Sequence, residues 1–438
     1  MLHRRALWVA AASAMTLLTA SAQGRLPGHH GFCTADAGPR ASPDAALSEV
    51  GPARSGTTHA ALADAGPSEA GPSDAGPTDA GPTDARSAAA KKARRTRLPR
   101  WPVALETEVV RFARGFDGEL AFYVKDLSDG SAYSYNGETP FYLASVVKIA
   151  VLREVYRQLD SGRLALDELL TLSAEAVRDG SGLAKAAAPG TRFSVSELLK
   201  RMIHRSDNAA ADLLIERVGL EPINAALAEI GGFGEVTSML TVRRLVYGRL
   251  TPRALSLTPK QIFTLAQINP LEERARALGR AIGEQQLSGR DLARAFEAYY
   301  ADLLNSASMS AVVRLLESLH RCEGLSGSSC RAIIETLKRC ETGEARLKAQ
   351  LPPGLAFAHK TGTQHRRMCD VGLLYLPEKP IAIAACAKHF QSMRAAEVLF
   401  AQLGKATLRA LAAPATTAAP QAHSPIQAPD AGAPGATQ

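Results

Sequence analysis

The chain predicts an α+β fold. Three observations carry this reading. Two short strand-like segments stand between Glu119 and Tyr135. A long run of apolar residues at helical spacing follows them. Three further strand-like segments, between Leu355 and Ala387, then precede a last helical pattern. Two strands, many helices, three strands and a helix make an α+β order, because strands and helices are grouped and do not alternate.

Glu119 to Lys125 and Ser131 to Tyr135 read as strands around the turn Ser128-Asp129-Gly130. Ser145 to Leu159 reads as a helix, since Val147, Ile149, Val151, Leu152 and Val155 give it a broad apolar face. Helical patterns follow at Val195 to His204, Asp207 to Val218, Ile223 to Ile230, Leu287 to Leu304 and Met309 to Leu319. Strand signals return at Leu355 to Thr361, Val371 to Leu376 and Ile381 to Ala387, and Met393 to Leu411 closes the pattern as a helix. The folded region therefore spans Leu98 to Leu411 of a 438-residue chain, a length that suits one large domain or two small ones.

The ends read differently. Residues 1–22 have the parts of a secretory signal: Arg4 and Arg5, an apolar run from Ala6 to Thr19, and the cleavage site Ala20-Ser21-Ala22. The run is too short and Ala-rich for a membrane span, and no Cys follows the cleavage site as in a lipoprotein; an uncleaved anchor is the alternative. Periplasmic or secreted localisation in a bacterium is expected. Residues 23–97 are rich in Ala, Gly and Pro and repeat Asp74-Ala75-Gly76-Pro77-Thr78 as Asp79-Ala80-Gly81-Pro82-Thr83. So little apolar surface cannot offset the entropy of ordering, which predicts a disordered tether. Residues 412–438 form a similar tail. The tether ends in Lys91, Lys92, Arg94, Arg95, Arg97 and Arg100. This cluster suits weak contact with wall polymer or an anionic surface, or is a solvated linker. The net charge of +8 comes with no nucleic-acid-binding motif, and a monomer is expected.

The six cysteines are Cys33 in the tether and Cys322, Cys330, Cys340, Cys369 and Cys386 in the folded region. An oxidising compartment permits disulfides. Cys322 lies near both Cys330 and Cys340, and Cys369 meets Cys386 if adjacent strands align. The odd number in the folded region leaves at least one free or paired with Cys33. No Cys/His spacing resembles a zinc site and no His-Glu-x-x-His is present, so no metal or cofactor is expected. Gly-x-Ser-x-Gly is also absent, which counts against an α/β-hydrolase.

Three short motifs carry the chemistry: Ser145-Val146-Val147-Lys148, Ser206-Asp207-Asn208 and Lys360-Thr361-Gly362-Thr363. The first is a hydroxyl nucleophile one helical turn from an amine. The second adds a hydroxyl and a carboxamide, the third a cation beside a strand edge. Ser-x-x-Lys alone is common, but the other two are each expected in about one chain in ten or fewer. Ser145 precedes Ser206 by about sixty residues, and Lys360 lies near the end of the folded region. Around them stand Pro189-Gly190-Thr191, Leu198-Leu199, Met202-Ile203, Leu213-Leu214-Ile215 and Gly219. A purely structural reading makes Ser145 a helix N-cap, leaves Lys148 solvated, and has Ser206 and Asp207 cap the next helix. The trio in this order resembles the class A β-lactamases and penicillin-binding proteins, the class A branch in particular.

The resemblance implies an antiparallel five-stranded sheet with flanking helices plus an all-helical lobe, with the site in the cleft between. It implies an exported serine hydrolase that opens a β-lactam amide through an acyl-enzyme on Ser145. The Ser145 hydroxyl needs a base, and Lys148 at i+3 shares its helical face. A lysine of ordinary pKa costs about 4.6 kcal/mol to neutralise at pH 7; burial and the nearby Lys360 lower that cost. Ser206 would relay a proton to the departing nitrogen. Asn208 would bond the acyl amide and help hold Lys148. Lys360, Thr361 and Thr363 would bind the substrate carboxylate, with Gly362 at the strand edge. The backbone N–H groups of Ser145 and Thr363 would form the oxyanion hole, each donor carrying about 3 to 4 kcal/mol of activation energy.

The chain departs from the family at one point. Class A enzymes carry Glu-x-x-Leu-Asn some thirty-five residues after Ser-Asp-Asn, and its glutamate activates the deacylating water. The equivalent stretch here, Thr241-Val242-Arg243-Arg244-Leu245-Val246-Tyr247-Gly248-Arg249, contains no carboxylate. The chain is also longer by about fifty residues between Asn208 and Lys360, with the excess between about Leu245 and Leu287. Glu272, Glu273 and Glu284 lie there as candidate substitute bases. Acylation is thus better supported than deacylation. The competing readings are a D-Ala-D-Ala peptidase or transpeptidase acting on peptidoglycan peptide, and a slowly acylating or non-catalytic binder of wall fragments or β-lactams.

Overall fold

The computed structural model describes residues 101–173, 182, 187–284, 286–377 and 379–412. The expected leader, the tether with Cys33 and the tail from residue 413 lie outside them. Helix α1 (Trp101–Arg114) precedes strands β1 (Glu119–Asp126), β2 (Ala132–Tyr135) and β3 (Phe141–Tyr142). A 3₁₀ turn, Ala144–Val147, runs directly into α2 (Lys148–Asp160). A short hairpin of β4 (Leu169–Thr171) and β5 (Arg192–Ser194) leads to α3 (Val195–His204), α4 (Asn208–Val218) and α5 (Leu220–Ile230). Then come α6 (Met239–Gly248), α7 (Pro259–Ala266), α8 (Leu271–Ile282), α9 (Gly289–Ala301), β6 (Ser306–Ala307), α10 (Met309–His320) and α11 (Gly327–Lys338). The chain closes with β7 (Ala356–Gln364), β8 (Arg367–Leu376), β9 (Lys379–Lys388) and α12 (Met393–Ala412).

Five strands form one antiparallel sheet in the order β2-β1-β9-β8-β7. The two early strands and the three late ones thus meet, with β9 as the seam: Phe122 faces Ala385 and Val124 faces Ile383. Side chains alternate between the faces of a strand, and here both faces are buried. On one face Leu120, Phe122 and Val124 of β1 join Ile381, Ile383 and Ala385 of β9, under Trp101, Leu105 and Val109 of α1 and Leu399, Phe400 and Leu403 of α12. On the other, Ala121, Val371, Leu373, Ala382 and Ala384 pack against the helical lobe of α2, α3, α4 and α10. Burial on both faces explains why β9 reads as a continuous apolar run.

The added length holds a core of its own. Val246, Tyr247, Ile262, Leu265, Leu278, Leu292 and Phe296 pack together on α6 to α9, and this cluster also takes in Tyr142 and Ala144. The insertion therefore grips the chain immediately ahead of Ser145. Its helices are stopped and started locally: Thr258 and Gln261 form a capping box at α7, and Ser288 and Asp291 form one at α9. Among the described residues no helix is long and apolar enough to cross a membrane.

Candidate active site

Ser145 sits inside the 3₁₀ turn and is partly exposed. It is not the helix cap that a purely structural reading would make it: α2 follows Val147, with no side-chain cap. The Lys148 backbone N–H donates to the Ser145 carbonyl, which sets the two side chains one tight turn apart. The residue before the nucleophile, Ala144, has φ 50°, and Ser206 has φ 60°. Such left-handed backbone at non-glycine residues costs of order 1–3 kcal/mol and persists only where packing enforces it. At Ala144 the enforcing groups are the insertion core and strand β7. Gly362 lies against the Leu143 carbonyl oxygen and 3.2 Å, from an ideal Cβ position, from the Ala144 Cβ. Only a residue without a side chain lets β7 approach the turn so closely.

Asp207 caps α4, its carboxylate accepting from Ala209 N at 2.9 Å and Ala210 N at 3.1 Å. That cap fixes the residues on either side. Lys148 is fully buried, and its Nζ donates to the Ser206 carbonyl at 2.6 Å, to Ser206 Oγ at 3.3 Å and to Asn208 Oδ1 at 2.7 Å. Lys360, also fully buried, donates from Nζ to the same Ser206 Oγ at 2.9 Å and to the Thr361 carbonyl at 2.9 Å. Ser206 Oγ thus stands between two amines. With both lone pairs accepting, its own O–H remains to donate. Burial pushes the Lys360 ammonium down to about 8, against the opposing fields of Cys340 and Asp370.

Thr361 and Thr363 point to different partners. The Thr361 hydroxyl is 2.5 Å from Thr342 Oγ1, whereas Thr363 is exposed. Arg346, which sequence reasoning missed, lies buried beneath this edge. Its guanidinium donates to Thr363 Oγ1 at 2.5 Å, to the Gly362 carbonyl at 3.1 Å and to the Cys369 carbonyl at 2.9 Å. It adds a second cation to the Lys360 end, and no local motif marks it. Ser145, Lys148, Ser206, Asn208, Lys360, Thr361, Gly362 and Thr363 are gathered where the 3₁₀ turn, the start of α4 and β7 converge. A separate cavity of about 250 Å³, lined by Pro140, Tyr142, Glu297, Tyr300, Arg367 and His389 among others, contains none of them.

A profile of the β-lactamase enzyme family matches residues 104–411. The chain belongs to the β-lactamase enzyme family. It is 25% identical over 276 residues to the extended-spectrum β-lactamase PER-1 of Pseudomonas aeruginosa, covering 60% of this chain and 73% of that one. A β-lactamase of Bacteroides uniformis is 25% identical over 260 residues, covering 57% and 71%. Among solved structures, a β-lactamase from Chitinophaga pinensis superposes with TM-score 0.54 at 20% identity, over 70% of this chain and 99% of that one. A point mutant of PBP-A, captured as an acyl-enzyme complex with penicillin G, gives TM-score 0.53 at 20% identity over 70% and 96%. At that identity the structural likeness speaks to the fold, which is the β-lactamase-like α+β fold expected from the motifs.

Within this family the departure stands out. The segment expected to carry the omega-loop glutamate is part of helix α6, and Met239–Gly248 contains no acidic residue. Ser238 caps it, and Asp212 of α4 accepts from its first two N–H groups, Met239 N at 2.7 Å and Leu240 N at 3.0 Å. Arg243 on α6 donates to Gln364 Oε1 at 3.2 Å, beside Thr363, so a cation occupies this side of the strand edge. Two of the candidate substitute bases are engaged elsewhere. Glu272 accepts from Gly289 N at 2.6 Å at the start of α9, and Glu284 accepts from Thr251 Oγ1 at 2.7 Å. Among the described residues the disulfides are Cys322–Cys330 and Cys369–Cys386, the latter joining partners in the β8–β9 register. Cys340 is a buried free thiol.

Proposed function

We propose that this protein is an exported, class A-like serine hydrolase that opens β-lactams through an acyl-enzyme on Ser145. The observation that carries the reading is the meeting of two buried amines, Lys148 and Lys360, at one hydroxyl, Ser206 Oγ, beside the turn that holds Ser145. Ser145 Oγ attacks the lactam carbonyl carbon, and the C–N bond breaks. Lys148, as the neutral amine, takes the Ser145 proton, and Ser206 passes a proton on to the departing nitrogen. Asn208 bonds the acyl amide. Lys360, Thr361 and Thr363 hold the substrate carboxylate, with Arg346 supporting Thr363. The N–H groups of Ser145 and Thr363 receive the oxyanion. Water then cleaves the ester and restores the hydroxyl. The site works on a small-molecule β-lactam or a peptidoglycan peptide, in a monomer, with no nucleic acid involved. The signal-like pattern of residues 1–22 and the Ala/Gly/Pro-rich composition of residues 23–97 support a location outside the cytoplasm, and the basic cluster gives at most weak contact with an anionic surface.

The acid-free α6 favours a second reading with the same nucleophile: a penicillin-binding peptidase or a slowly clearing binder of wall fragments. Nitrocefin turnover separates the two. Sustained turnover by the wild type, absent in Ser145→Ala, supports the hydrolase. D-alanine release from a pentapeptide without nitrocefin turnover supports the peptidase. Neither activity, and no covalent adduct, would remove both.

A further inference from the structure

A second constellation of charges lies outside the acyl-transfer site, at one end of the sheet. The strand register assembles it. Glu119 of β1 faces Lys388 of β9, and Lys388 faces Arg367 of β8, so three charged side chains stand in one cross-strand row. Glu297 of α9 meets the row from the helical side. Arg367 is buried and donates to Glu297 Oε1 at 3.2 Å and Oε2 at 2.6 Å. Lys388 Nζ lies 3.1 Å from Glu119 Oε2. His389 bridges the two pairs, with Nδ1 2.8 Å from Glu119 Oε1 and Nε2 3.2 Å from Glu297 Oε2. Its φ of 63° is a left-handed backbone that a residue with a side chain rarely adopts. Glu297, Arg367, Lys388 and His389 all line the cavity of about 250 Å³ that is separate from Ser145. The rest of its wall is largely apolar, from Phe141 and Tyr142 of β3, Tyr300 and Ala301 of α9, and Leu303.

We propose that this cavity is a second ligand site, which takes a small monocarboxylate carried on an apolar body. Size sets the body. An apolar cavity of about 150 Å³ holds benzene, so about 250 Å³ accommodates one ring with its carboxylate. Hydrogen-bonding capacity sets the head. Both protein carboxylates are engaged on each oxygen, Glu297 by Arg367 and His389, Glu119 by His389 and Lys388. The spare capacity is on the donor side: an ammonium carries three N–H groups, and among the described residues Glu119 is the acceptor that Lys388 meets. A cationic ligand finds the aromatic faces already covered. Lys388 Nζ lies 4.7 Å from the centre of the Phe141 ring, and the Arg367 guanidinium 4.2 Å from that of Tyr300. Charge balance sets the valence. Arg367 and Lys388 offset Glu297 and Glu119, and His389 adds one positive charge when both ring nitrogens carry protons toward the carboxylates. A single negative charge on the ligand completes that balance. An apolar wall with a few convergent polar groups is the usual make-up of a small-molecule site.

The site is testable without any β-lactam. Fluorine NMR of para-fluorobenzoate mixed with the full chain should show line broadening that saturates with protein concentration, and para-fluorobenzamide, the same ring without the charge, should show none. Ala301 is exposed at the end of α9, so Ala301→Trp fills the cavity and leaves the charged row intact; it should abolish the broadening. Lys388→Met should weaken binding about tenfold, the usual effect of losing one hydrogen bond to a charged group. Thermal unfolding confirms that each variant folds, and if Ala301→Trp does not, Lys388→Met carries the test. No broadening with the wild type overturns the proposal. So does equal broadening by the amide. Affinity unchanged in the folded variants also overturns it, because the carboxylate then binds elsewhere, at Lys360 for example. Displacement of para-fluorobenzoate by an equal concentration of sulfate would overturn it too, since the apolar body would then contribute nothing.

Discussion

Gly362→Ala isolates the contact on which the site geometry depends. A Cβ at this position would overlap the Leu143 carbonyl oxygen and lie 3.2 Å from the Ala144 Cβ. The first of these is backbone, fixed in the turn that presents Ser145, so it cannot swing aside as a flexible side chain would. Restoring an ordinary contact of about 3.5 Å requires β7 and the turn to separate by about 1 Å. The position is strand, so the effect is steric and does not come from a lost left-handed conformation. Overpacking of this kind costs about 1–3 kcal/mol, or roughly 2–10 °C in Tm for a domain of this size. A displacement of about 1 Å between nucleophile and oxyanion donor costs on the order of 10² in rate, equivalent to about 2.7 kcal/mol. Time-resolved intact mass spectrometry with a penicillin gives the acylation rate, and thermal unfolding gives Tm. A folded Gly362→Ala variant that acylates at the wild-type rate would refute the claim that the turn and β7 form one reacting unit.

Ser145→Ala removes a partly exposed hydroxyl outside any cap, so covalent labelling should vanish while stability stays within about 0.5 kcal/mol; labelling that persists on another residue counts against the site. Asp207→Ala strips the cap from α4 and leaves the Ala209 and Ala210 N–H groups unpaired; a loss of about 1 kcal/mol is expected in urea unfolding, and acylation should fall with it because the cap lies between Ser206 and Asn208. Lys360 is held at about 8. It is charged below that pH and neutral above it, so acylation by a carboxylate-bearing β-lactam should decline as pH rises through about 8, whereas a β-lactam lacking the carboxylate should show no such limb in its pH–rate profile.

Much of the fold is legible in the sequence because its signals are local. Both groups of sheet strands, the helices at Val195–His204 and Asn208–Val218 and the closing helix fall within a few residues of their expected bounds. The stretch from Ser145 reads as one helix, but its first turn is 3₁₀ and preceded by a left-handed Ala144; that distortion is imposed by β7 and the insertion core, which periodicity cannot register. Helices α1, α6, α7, α8 and α11 lie outside the sequence expectation. α11 opens on Gly327-Ser328-Ser329, which reads as loop, and its helix is secured by packing of Cys330, Ile333 and Leu337. α7 does carry a signal, Thr258-Pro259 followed by Gln261, which is a capping box with Pro at the first turn. Arg346 reaches Gly362 and Thr363 of β7 and Cys369 of β8 from a separate segment of the chain, so only the folded topology reveals it.

The proposed function stands or falls with Ser145 as the nucleophile of an acyl-transfer site. Intact-protein mass spectrometry of the full chain after mixing with a penicillin, followed by peptide mapping, tests it most directly. A single adduct with the mass of the whole penicillin is expected on the peptide containing Ser145, absent from Ser145→Ala. No adduct on the wild type at any time, with any β-lactam tried, would contradict it.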